Sequence, residues 1–167
     1  RLVGSEMCIR DRIVTVADDS SNCFDPCLTA EVLDQSQLTH IGAVNYKSIH
    51  YQTFTAGESG EVSKVRLLLD HTSSVTTTVT VVDSFGGSAL SSAEQIVVPG
   101  TQGWYEVIFS TPASVTKDSM YAIKFQGSPS IGAVFLVSDP YPGGALLSPR
   151  GSAGSADMAF ETFVFVK

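Results

Sequence analysis

His40, His50 and His71 are the residues that could act as general bases, and 36 Ser and Thr are spread around them. With so many hydroxyls, a Ser–His pair chosen from the sequence would be a chance pairing, because a triad is defined by geometry. Gly57-Glu58-Ser59-Gly60 is one residue short of the nucleophile-elbow pattern and reads as a turn. Glu58, Glu61, Glu94, Glu106 and Glu161 could supply a glycosidase pair, but they fall in turns or at outward-alternating positions, as on a solvated acidic surface. Asp18, Asp19, Asn22 and Asp25 place hard oxygen donors within eight residues, the type of ligand calcium takes. Their spacing is not that of an EF-hand loop, and an Asx-rich turn capping a helix at Pro26 is the competing reading. Cys23 and Cys27 are half a zinc site at most. As a disulfide they would close a five-residue loop, stabilising by roughly 2 kcal/mol, the natural state in an exported chain. Trp104 and Tyr141 are the candidate glycan contacts, with Tyr46, Tyr51 and Phe85 as remaining aromatics. Against this, Trp104 could cover a sheet edge, and Tyr141 between Pro140 and Pro142 reads as a rigid loop plug.

Whatever carries these groups has the means to bury a core. Of 167 residues, 43% are apolar and 16% charged, the balance of one globular domain with or without an arm. Ten Lys and Arg against 17 Asp and Glu leave a net charge of −7 and no basic stripe, which argues against nucleic acid as a partner. No apolar run approaches the roughly 20 residues of a membrane span. Abundant Ser, Thr and Gly with scarce Lys and Arg suit an exported β-sandwich. Asn-x-Ser/Thr is absent, while residues 72–80 and 148–155 are hydroxyl-rich enough for O-linked sugars.

The positioning elements are strands. Ile13, Val14, Thr15 and Val16 form a short β-branched run standing apart from the rest. Asp25-Pro26 predicts the start of a short helix with Leu28, Val32 and Leu33 facing inward. From Tyr46 the period becomes two. Val65, Leu67 and Leu69 share a face, as do Val75, Thr77, Val79 and Val81. So do Tyr105, Val107 and Phe109; Tyr121, Ile123 and Phe125; and Met158, Phe160, Thr162, Val164 and Val166. Turn signals lie at 57–60, 84–88, 99–100, 112, 128–129 and 140–144. The pattern predicts an all-β, antiparallel two-sheet sandwich of seven to nine strands over residues 46–167, preceded by an arm over 13–45.

Residues 1–12 are set apart. Over 3–11 they are similar to a translated sequencing-adapter peptide and are excluded from fold reasoning, as a tag would be. Without them Cys8 drops out, the cysteines become an even pair, and the remainder carries −8. Gln52-Thr53-Phe54-Thr55-Ala56-Gly57 with Val62-Ser63-Lys64-Val65-Arg66-Leu67-Leu68-Leu69 resembles the opening of the bacterial surface modules called choice-of-anchor domains. Gly103-Trp104-Tyr105-Glu106-Val107-Ile108-Phe109-Ser110-Thr111-Pro112 resembles their Trp-bearing strand, and Lys117-Asp118-Ser119-Met120-Tyr121-Ala122-Ile123 the next. Pro140-Tyr141-Pro142-Gly143-Gly144 and Asp157-Met158-Ala159-Phe160-Glu161-Thr162-Phe163-Val164 resemble the family's end. This likeness implies a jelly roll similar to galactose-binding folds, in exported proteins, adhesins and appendages, with no general catalytic set. The chain departs from the type in ending at Lys167 without an anchor segment and in carrying residues 13–46 ahead of the motif.

The functional expectation is a non-enzymatic, extracellular structural or adhesive subunit that self-associates into an oligomer or filament. Ile13, Val14, Thr15 and Val16 would pair with a neighbour's open sheet edge, or else within their own sandwich. A carbohydrate-binding module is the alternative. No cofactor is expected beyond a structural calcium at the acidic loop.

Overall fold

The computed structural model describes residues 30–39, 42–46, 49–70, 74–128, 131–136, 141–148, 151–152 and 156–166. The strands are β1 (Glu31–Gln37), β2 (Gly42–Tyr46), β3 (Ile49–Thr55), β4 (Gly60–Asp70), β5 (Val75–Val82), β6 (Glu94–Val98) and β7 (Gly103–Val115). Then follow β8 (Met120–Ser128), β9 (Ile131–Leu136), β10 (Leu146–Ser148), β11 (Gly151–Ser152), β12 (Asp157–Met158) and β13 (Phe160–Val166). All ladders are antiparallel and form two sheets. The larger runs β1-β13-β4-β9-β12, with β7 on β4 and β2 on β9; the smaller runs β11-β10-β3-β8-β5-β6.

The two sheets share one core. Phe54, Val79, Val81, Ile123 and Phe125 from the smaller sheet meet Val65, Leu67, Leu69, Val107, Phe160 and Val164 from the larger. Apart from Phe54, these belong to the inward sets that the period-two reading picked out, and the fold is the expected antiparallel β-sandwich. Among the described residues there are thirteen strand segments; β1 and β2 begin ahead of residue 46, and β10, β11 and β12 are only two or three residues long, which leaves eight against the seven to nine expected.

Two departures have local causes. Val62 and Val65 are both fully buried although three residues apart, which a regular strand forbids because its side chains alternate. A register shift between Val62 and Lys64 absorbs the extra residue: Val62 faces Ala113, and Lys64 faces Ile108. Residues 109–112 therefore bow out of the ladder, so Pro112 lies inside β7 at no cost in ladder hydrogen bonds, where the sequence predicts a strand end.

The second departure is at the arm. Val32 and Leu33 lie in β1 rather than in a helix, and Leu33 is 51% exposed. The backbone of β13 offers a full edge, and pairing Glu31 with Phe165 through Gln37 with Phe160 satisfies it. Both β1 and β2 begin before residue 46, so the larger sheet draws on the stretch the sequence assigns to an arm. The helix start at Asp25-Pro26, the disulfide pair Cys23 and Cys27, the calcium set Asp18, Asp19, Asn22 and Asp25, and the strand Ile13, Val14, Thr15 and Val16 lie outside the described residues. So do residues 1–12, His40 and His71.

Candidate functional site

The outward face of the larger sheet is a grid of charge and aromatic rings. Lys64 on β4 pairs with Glu31 on β1 at 2.9 Å and with Glu106 on β7 at 3.7 Å. Glu31 is pushed up by burial, but the Ser63 hydroxyl and the Lys64 ammonium together hold it below its ordinary value. Glu31 in turn raises Lys64. Arg66 donates to Glu161 at 2.5 Å and lies 5.3 Å from the centroid of the Trp104 ring. Trp104 stands opposite Leu68 in the β4–β7 ladder and packs with Leu68 and Ala159. It is half-buried, so its outward exposure is partial, with Arg66 over the ring.

Tyr141 is buried among the described residues. It is 7% exposed, its ring meets Phe160 edge-on at 5.2 Å, and its hydroxyl donates to Gln35 Oε1 at 2.9 Å while accepting the Thr55 N–H at 3.3 Å. Burial pushes the phenol up to about 12. It bridges β1 of one sheet to β3 of the other, as the plug its flanking prolines suggest. Beneath it lies a buried polar set: Gln52 donates to Asp157 Oδ1 at 2.9 Å, Met158 N–H donates to Gln52 Oε1 at 2.9 Å, and Tyr141 N–H donates to Asp157 Oδ2 at 3.2 Å. Sequence reasoning passes over this set, since Gln52 reads as an ordinary position among alternating residues.

The candidate catalytic groups do not converge among the described residues. His50 is buried at 2% exposure with its ring 5.6 Å from Phe125, and desolvation lowers it. Glu94 accepts from the Ser92 hydroxyl and from the Ser110 hydroxyl and N–H, which hold it low. Glu58 pairs with Lys117 at 3.6 Å, and the Gly57–Glu58 turn donates both N–H groups to Asp34 Oδ1. Glu161 and Glu106 are held by Arg66 and Lys64. A cleft of about 420 Å³ opens beside β3, between Phe85 and Met120 on one side and Pro142 and Leu147 on the other; its lining carries no ionisable side chain. Phe85 sits edge-on to Tyr51 at 4.9 Å and is 44% exposed.

The sheet rims differ in how they are protected. At β1 the register shifts between Leu33 and Gln35, and Asp34 turns its carboxylate onto the 57–58 turn, with Oδ2 buried and unbonded. A bulge and an inward charge both blunt an edge. On the smaller sheet β10 and β11 are too short to template another strand, and β6 ends at Pro99 and Gly100, the latter at φ 41°. By contrast β7 is the longest strand at 13 residues and pairs with β4 alone among the described residues. Its lower end is tied: Ser110 N–H donates to Glu94, and Thr111 C=O accepts the Ser92 N–H at 3.0 Å. Residues 103–109 carry a single charge, Glu106, and Ile108 is 65% exposed.

No protein-family model matches the chain, and comparison with curated protein sequences finds no match. No helix among the described residues is long and apolar enough to cross a membrane.

Proposed function

We propose that this chain is a non-enzymatic structural or adhesive subunit of an extracellular bacterial fibre, filament or surface layer, whose copies associate through sheet edges. The observation that carries the reading is the upper half of β7, part of a long strand with one ladder partner among the described residues, an exposed Ile108 and no Lys or Pro across residues 103–109. Monomeric sandwiches blunt such edges, as β1 is blunted here; an unblunted one suits pairing with another chain. Negative-stain microscopy of the full chain tests this: extended, end-to-end particles are expected, and only isolated globular particles would overturn it.

Carbohydrate binding is the second reading, favoured by Phe85 standing at the rim of the apolar cleft rather than by Tyr141. Hits on a glycan array that vanish in Phe85→Ala or Trp104→Ala, with the fold retained, would support it. Binding unchanged in both variants would remove it.

A further inference from the structure

We propose that residues 103–109 of β7 are the acceptor edge for Ile13, Val14, Thr15 and Val16 of a second copy; the inference rests on the assembly reading above and names its two halves. The acceptor is chosen by comparing the rims. A guest strand needs several consecutive free main-chain groups. The edge of β1 is interrupted by its bulge and by the Asp34 carboxylate, β10 and β11 are two or three residues long, and β6 stops at Pro99. The edge strand β2, paired with β9 alone among the described residues, is five residues long, and β7 presents the longest run with one ladder partner, closed below at Ser110 and Thr111.

The donor is chosen by chemistry and reach. Ile13, Val14, Thr15 and Val16 are all β-branched and uncharged, so they fit a pleated edge and bring no like charge to Glu106. Residues 17–29 separate them from Ala30 at the start of β1 and, extended, span up to about 45 Å, enough to cross to a neighbouring molecule. Within one molecule the same reach would also cover the three strand spacings, about 14 Å, from β1 to β7, so the concentration dependence of protection is what separates a second copy from the arm's own sheet. Each copy would give one arm and receive one at a different surface. That contact is heterologous, so it continues from copy to copy instead of closing as a two-fold dimer. Side-chain parity sets the register: guest residues facing Val107 lie over the core, and those facing Ile108 lie outward.

The test uses the full chain. Amide hydrogen exchange at 104–109 is followed as protein concentration rises, beside the donor variant Val14→Pro with Val16→Pro and the acceptor variants Ile108→Pro and Ile108→Lys. The lysine variant places its charge at an already exposed outward position, so the sandwich survives if the proline variant misfolds. The expected result is protection at 104–109 that grows with concentration, with association weakened about tenfold or more in the donor variant and in Ile108→Lys. Association that persists unchanged in Ile108→Lys, with protection at another rim, overturns the acceptor while leaving assembly standing. Protection at 104–109 that survives the donor variant overturns the donor and points to pairing of two β7 edges. Protection that is independent of concentration in a monomer shows the arm on its own sheet and overturns the second copy. A monomer at every concentration with 104–109 unprotected ends both this inference and the assembly reading.

Discussion

At the scale of single residues, two buried groups have pH consequences with opposite signs. Tyr141 is held above the ordinary phenol value of 10.0, at about 12. The folded state keeps this proton after the unfolded chain has lost it, so the stability is fully present below pH 10 and is lost as pH rises from 10 toward 12, by up to about 2.7 kcal/mol. Tyr141→Phe should remove that alkaline slope. At neutral pH it should cost about 1–2 kcal/mol, since Gln35 Oε1 and the Thr55 N–H each lose a partner; urea melts at pH 7, 10 and 11 check both. His50 is the reverse case, a base depressed by burial. Below its ordinary value of 6.5 the unfolded chain takes up a proton that the folded chain refuses. Stability should therefore fall as pH drops from 6.5, by at most about 1.4 kcal/mol per unit. His50→Leu should flatten that limb in thermal melts at pH 5 to 7. The plug was legible in the prolines flanking Tyr141, but neither pH role was, since Tyr141 stood also as a glycan contact and His50 as one of three candidate bases. What decides both is a packing neighbour 19 or more residues away, Phe160 for one and Phe125 for the other.

At the scale of elements, alternation was a sound guide wherever one face is buried and the register is unbroken. Val65, Leu67 and Leu69 and the Val75 to Val81 set show this, all at 3% exposure or less. The guide lapsed at bulges and at weakly buried edges. Glu-Val-Leu-Asp-Gln-Ser-Gln in β1 shows no period of two, because its outward Leu33 is exposed and its bulge resets the phase at Asp34. A capping signal upstream then made a helix the better reading. Asp34 is the element-scale device: burial raises its carboxyl while it accepts two N–H groups from the 57–58 turn. Asp34→Ala should cost about 1–2 kcal/mol by stranding those donors, measurable as a lower urea midpoint. Deleting Ser63 should by contrast keep the core register: it brings Val62 and Val65 to a separation of two, which a regular strand places on one face, with Val164 still opposite Val62 and Phe163 opposite Lys64; a retained cooperative melting transition is the expected readout, and its loss would mean that the bulge itself holds β4 in place.

At the scale of the whole molecule, the two-sheet sandwich was readable from composition and period, while its partners were not, because an edge declares itself only once every strand has been given its neighbours. The overall charge adds a condition. Copies carrying −7 each repel, so association through an uncharged edge should strengthen as salt shortens the screening length from about 30 Å at 0.01 M to about 8 Å at 0.15 M. Weaker light scattering on adding salt would mean that ion pairs rather than main-chain pairing make the contact. Sedimentation velocity of the full chain across a hundredfold range of concentration at 0.15 M salt tests the central claim most directly. Association through sheet edges predicts a weight-average coefficient that climbs without a plateau, as open-ended assembly requires; a single 17.7 kDa species throughout would contradict it.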